Sequence, residues 1–180
     1  MSPLTGFMGR AEGEGMGFFM RKMNDFLMRI CGVLVMVMVP VMTVIIFLQV
    51  VMRYVFMAPF AWSEELSRYL LVWISCLGSA YAVRKVMHIN IVFVRNLFPD
   101  TVKTLMSISS HVIVMLFFIF CLYHGWIDSI EEWAQRTAAM QIPMTFPKLA
   151  IPVGFGLMVL FNTELLIEDI KKAFSGRAIS

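Results

Sequence analysis

ICGVLVMVMVPVMTVIIFLQVVM, Ile30 to Met52, runs for 23 residues without a charged side chain. A bilayer core about 30 Å thick is crossed by about 20 apolar residues of helix, so this stretch reads as a membrane span. Pro40 falls in its middle and is expected to kink it, which membrane helices tolerate when neighbours satisfy the freed carbonyl.

Three further stretches come close to that length. Trp62 to Val83 qualifies only if its polar head is counted, Leu105 to Ile127 carries two histidines and no charged residue, and Leu149 to Ile167 holds Glu164 near its end. The connectors Arg53 to Ala61, Arg84 to Thr104 and Asp128 to Lys148 leave no room for a soluble domain. The expected fold is an all-α integral membrane protein with spans at 30–52, 62–83, 105–127 and 149–167. Residues 1–29 form a tail before this 30–167 membrane domain, and 168–180 a tail after it. The glycine-rich N-terminal dozen residues read as disordered. GFFMRKMNDFLMRI, 17 to 30, reads as an amphipathic helix lying on the membrane surface. No small-residue cleavage pattern follows the first apolar run, which argues against a cleaved signal peptide.

Composition agrees with a membrane chain. Of 180 residues, 59% are apolar and 15% charged, and mean hydropathy is +0.79, outside the usual soluble range. The 17 methionines and 16 phenylalanines read as adaptable packing surface. A net charge of +3 without clustered Lys and Arg excludes nucleic acid as a partner. Cys31, Cys76 and Cys121 each fall in a different apolar run, with neither metal-ligand spacing nor a disulfide framework. Eleven Lys and Arg residues lie in the two tails and the middle connector, and Arg53, Arg68, Arg136 and Lys148 lie on the other side. The excess of positive charge predicts both termini in the cytoplasm. Glu164, Glu168, Lys171 and Lys172 stand at three- and four-residue spacings, which reads as a solvated helix end with paired charges.

The polar head of the second span, WSEELSR from Trp62, needs a reason. Ser63 reads as an N-cap, with Glu64 and Glu65 favoured in the first turn by free N–H groups and the helix dipole. Glu64 and Arg68 are one turn apart and able to pair. Trp62, Tyr69 and Trp73 suit an aromatic belt at the membrane interface. The sharper alternative has Glu65 or Arg68 facing another helix, at Arg53, or a separate protein. His111 and His124 lie 13 residues apart in the third span, at opposite depths, and cannot share one haem within a monomer. His88 with His111 is the remaining conceivable pair. Mid-span ionisable groups, which coupling or catalysis in the membrane needs, are missing, so an enzyme is not expected. Ser107, Ser109 and Ser110 read as packing or backbone-bonding residues.

In order along the chain stand QVVMRYVF, WSEELSRYLLVW, GSAYAVRKVMHINIVFV and QIPMTFPKLAIPVGFGLM. This succession resembles the small membrane subunit of tripartite ATP-independent periplasmic (TRAP) transporters, the DctQ-like family, over most of the chain. The matching positions are Arg53, Tyr54, Trp62, Glu64, Glu65, Arg68, Trp73, Gly78, Ala80, Arg84, His88, Ile89 and Ile91. The pattern departs at Val86 and Met87, where a glycine or acidic residue is common. It departs again at Asn90 and Ile91, where an acidic residue often follows the histidine. The resemblance implies a non-catalytic inner-membrane subunit of a bacterial or archaeal cell that scaffolds a large multi-span permease subunit. A periplasmic solute-binding protein would supply a small organic anion, a carboxylate or sialic acid, and sodium coupling would reside in the large subunit. No cofactor is expected in this chain. Two other readings stay open: a haem-binding anchor of a respiratory enzyme, and a small homo-oligomeric exporter using Glu64 or Glu65.

Overall fold

The computed structural model describes residues 4–58, 60–95 and 100–174, with side chains at 19–58, 60–85 and 106–171. Helix α1 spans Leu4–Tyr54, α2 Ala61–Arg95, α3 Asp100–Glu131, the short α4 Thr145–Lys148, and α5 Ala150–Phe174. Four stretches are long and apolar enough to cross a membrane: Phe19–Tyr54, Ala61–Lys85, Met106–Ala134 and Thr145–Lys171. They contain the four expected spans except for Leu105, the first residue of the third, so the all-α four-span architecture holds.

The helices run up and down in the order α1, α2, α5, α3 across the molecule. α2 and α5 form the middle pair, and α1 and α3 lie on the two flanks. Small residues set this order, because helices in lipid associate by close van der Waals contact rather than by a hydrophobic drive. A Cβ placed on Gly154 of α5 would stand 2.7 Å from Cys76 Cβ and 3.2 Å from the Cys76 backbone of α2. Glycine is therefore what lets the middle pair touch. Gly125 similarly admits Ile151 between α3 and α5, and Gly32 admits the Tyr81 ring between α1 and α2. Ala80, Phe118, Met158 and Phe161 form the apolar core around α5. The flanks stay bare: Val33, Met36, Val44 and Phe47 on α1, and Ile113, Leu116, Phe120 and Tyr123 on α3, are all exposed.

Two expectations for the N-terminal region change. Helix begins at Leu4 rather than after a disordered dozen, and it continues through Pro40 to Tyr54. The stretch 17–30, expected as a separate surface helix, is part of α1 and continuous with the first span. Asn24 is the reason: it is 1% exposed and bonds to α5, which ties this part of α1 to the bundle.

The chain between α3 and α5 is ordered by its own backbone. A 3-10 turn at Glu132–Ala134 leads into a tight loop in which Arg136 pairs with Pro143. Thr137 N donates to Ile142 O at 2.9 Å and Met144 N to Gln135 O at 2.9 Å. Gln141 adopts a φ of 56°, uncommon for a side-chain-bearing residue, and its carbonyl accepts from Arg136 Nη1 at 3.0 Å. Prolines punctuate this approach: Pro143 pairs in the loop, Pro147 lies in α4, and Pro152 sits in the first turn of α5.

Candidate functional site

The polar residues gather at the two ends of the bundle. At the end where α1 begins and α5 finishes, α2 supplies Arg84, α1 supplies Arg21, Asn24 and Asp25, and α5 supplies Glu164 and Glu168. Arg84 Nη2 lies 2.9 Å from Asp25 Oδ1 and 3.3 Å from Glu164 Oε2. Asn24 Nδ2 donates to Glu164 Oε2 at 2.7 Å, and Arg21 pairs with Glu168. The Arg84 guanidinium also lies over the Phe161 ring, 5.6 Å from its centroid. A charge near hydrocarbon is held when it is paired and hydrogen-bonded, and removing one member leaves the other stranded. One cluster thus joins three helices through Glu164.

The other face of α5 makes a second polar seam, with α3. Asn162 Nδ2 donates to the His111 carbonyl at 3.0 Å, and His111 Nδ1 lies 2.7 Å from Asn162 Oδ1. His111 Nε2 lies 3.6 Å from Asp169 Oδ2, which also accepts from Ser107 Oγ. Both His111 and Asn162 are buried.

At the opposite end the charges serve a loop. Glu65 Oε2 accepts from the backbone N–H groups of Ala139 at 3.0 Å and Met140 at 2.8 Å, and its Oε1 accepts from Tyr69 at 2.6 Å. So Glu65 ties α2 to the loop between α3 and α4. Glu64 and Arg68 pair at 3.1 Å with side chains 67% and 70% exposed. Ser63 is not the N-cap: α2 starts at Ala61, which puts Ser63 inside the first turn, and its hydroxyl donates back to Phe60 O at 2.8 Å. Ser67 repeats the pattern onto Ser63 O at 2.8 Å.

The matched positions therefore divide. Arg53 and Tyr54 are exposed at the end of α1, with the Arg53 guanidinium 5.9 Å from the Tyr54 ring. Trp62 is partly open beside Phe60, and Trp73 and Gly78 are half-buried. A Cβ on Gly78 would meet nothing within 4 Å, so its small size is not needed for packing inside this chain. Glu65 and Arg84 direct their side chains to partners within the chain. The His88 side chain lies outside the described residues. Of the alternatives for the Glu65–Arg68 turn, Arg68 pairs with Glu64 and Glu65 with Tyr69 and the Ala139–Met140 amides rather than with Arg53.

Sequence reasoning missed Asn24, Asn162 and Asp169, and took Glu164 and Glu168 for a solvated helix end. That reading of Glu164 is corrected by its burial between Arg84 and Asn24. The signal was present as lone polar residues inside apolar runs, which in a membrane protein require a partner. Which partner they take depends on helix order, and spacing along one helix does not contain it. Among the described residues no three metal-ligating side chains converge.

A four-span bundle whose charges are consumed at its own ends, with apolar flanks left bare, is a membrane protein built to pack. Comparison with known proteins gives the particular family. The sequence signature described as "Tripartite ATP-independent periplasmic transporters, DctQ component" matches residues 42–172, well over half the chain. The chain belongs to this family, a transporter component and not an enzyme. It is 26% identical over 128 residues to the sialic acid TRAP transporter small permease protein SiaQ of Vibrio cholerae, covering 68% of this chain and 71% of that one. A Haemophilus influenzae chain, provisionally assigned as a TRAP transporter small permease protein, is 25% identical over 109 residues, 61% of this chain and 68% of that one. The sialic acid TRAP transporter permease protein SiaT of Haemophilus influenzae is 42% identical over 59 residues, 33% of this chain but only 10% of its own length.

Proposed function

We propose that this chain is the small subunit that holds a large TRAP permease subunit in the bacterial inner membrane, with both termini in the cytoplasm. The carrying observation is the contrast between spent polar groups and bare apolar flanks. Arg84, Glu164 and Glu65 are committed within the chain, while α1 and α3 offer long apolar faces. The likeness to one segment of the much longer SiaT supports a setting in which such a unit works beside a large permease. The orientation rests on the distribution of Lys and Arg. The names of the relatives favour a small organic anion as the solute; sodium coupling would reside in the large subunit. The exposed Glu64–Arg68 turn and the loop held by Glu65 form a polar platform on which a periplasmic binding protein would dock.

The chain needs no cofactor in this role. A haem anchor is disfavoured by geometry: His111 is buried with both ring nitrogens turned to α5, and His124 packs against Phe120 and Tyr123. The test is affinity purification of the tagged chain from native membranes in mild detergent. A large hydrophobic subunit should copurify; its absence, or solute transport by liposomes holding this chain alone, would overturn the scaffold role.

A further inference from the structure

Arg84 and Arg21 spend their charge on carboxylates at the terminal end of the bundle, but two neighbouring cations do not. Among the described residues, no carboxylate pairs with Arg29 or Lys85, and both side chains are exposed. Arg29 is the last charge before the uncharged run that opens at Ile30, so it stands where hydrocarbon begins. A lysine at the end of a span usually snorkels outward into water. The Lys85 ammonium instead folds back toward the span and lies over the Tyr81 ring, 5.7 Å from its centroid.

The contact between α1 and α2 sets these cations side by side. Gly32 packs against the Tyr81 ring, where an added Cβ would stand 3.3 Å from Cε2. The two helices are antiparallel, so Arg29, three residues before Gly32, and Lys85, four after Tyr81, both lie one turn from that contact in the same direction. Asp25, one turn before Arg29, and Glu164 on α5 are held by Arg84 at 2.9 Å and 3.3 Å. Lys22, on the same stretch of α1, has a partner of its own.

Toward the membrane centre the same side of the seam turns apolar and shallow. Arg29, Val33 and Met36 fall at i, i+4 and i+7, and Lys85, Ala82 and Gly78 at i, i−3 and i−7, so each trio shares one helix face. α1 turns Asn24 and α2 turns Cys76 to α5, and the trios lie roughly on the opposite side of each helix. Val33 and Met36 are 60% and 73% exposed, and a Cβ on Gly78 would meet nothing within 4 Å.

We propose that Arg29 and Lys85 hold the phosphate of an anionic phospholipid whose acyl tail rests along Val33, Met36, Ala82 and Gly78. Charge selects the headgroup, because two cations unopposed by a carboxylate repel the ammonium of a zwitterionic lipid. The apolar trough selects a lipid over a free anion, which would leave it uncovered. The proposal rests on the chain spanning a membrane and not on its transporter role.

The test is native mass spectrometry of the full-length chain in detergent micelles, titrated with phosphatidylglycerol or phosphatidylcholine. Phosphatidylglycerol should bind the more tightly, and Arg29→Gln or Lys85→Gln should each weaken it by about fivefold, the worth of one basic residue at an anionic membrane surface. Arg53→Gln, an exposed cation at the other end of α1, should leave it unchanged. Gly78→Leu fills the trough and should weaken the lipid as well. Equal binding of the two lipids by the wild type, no loss in either cation variant, or an equal loss in Arg53→Gln would each overturn the proposal. So would displacement of the lipid by inorganic phosphate at matched ionic strength, which would make this a free-anion site. The wild-type comparison decides even if a variant fails to fold.

Discussion

Arg84 lies between Glu164 and Asp25 with its side chain 11% exposed, whereas Arg68, at the other end of the same helix, reaches only Glu64 and stays open. Both are arginines beside carboxylates, and burial separates their consequences. At the terminal end a charge that loses its partner has no water to turn to, so the cluster specifies which helices meet. At the far end water substitutes for a lost partner at little cost, which leaves the Glu64–Arg68 pair free to face another protein.

Breaking the buried end should have the largest effect. Arg84→Ala strands Glu164, and loss of one partner from a buried pair costs about 3–5 kcal/mol. Thermal unfolding in detergent should show a large fall in Tm, partly recovered when Glu164→Gln is added. A recovery no better than either single change would place the two side chains in separate roles. Gly154→Ala comes next, because the new Cβ collides with Cys76 and overpacking of this kind costs about 1–3 kcal/mol. Cys76 should label faster with a thiol reagent in that variant, and adding Cys76→Gly, which removes the colliding Cβ, should restore the lost Tm.

The far end sharpens the contrast with smaller effects. Glu65→Ala removes the acceptor for the Ala139 and Met140 amides, so their hydrogen exchange should speed up while the spans stay protected. Equal speeding across α5 would show that this end, too, holds the bundle. Smallest is Arg68→Ala, since exposed pairs contribute about 0.2–1 kcal/mol at most. Tm should hardly move, and reduced recovery of a large copurifying subunit would assign the side chain to the interface. Unchanged recovery would return it to an interfacial helix end.

Much of the fold was legible because hydrocarbon imposes a length rule on apolar runs, and each of the four runs lies, to within a residue, inside one of the observed spans. The Glu64–Arg68 pair was legible as well, being a matter of helical period. Ser63 misled because the start of α2 is set two residues earlier, at Ala61. Asn24, Asn162 and Glu164 misled more, since their partners sit on helices that are distant in sequence.

The amino-acid sequence by itself determined four spans, the family of the chain and the bias of positive charge, all carried by local composition and motif order. The tertiary structure alone decided that α5 stands in the middle, with one polar face to α1 and α2 and another to α3. The reason is physical: Gly154 lets two backbones touch, and a buried polar group must find whichever partner that contact brings within reach.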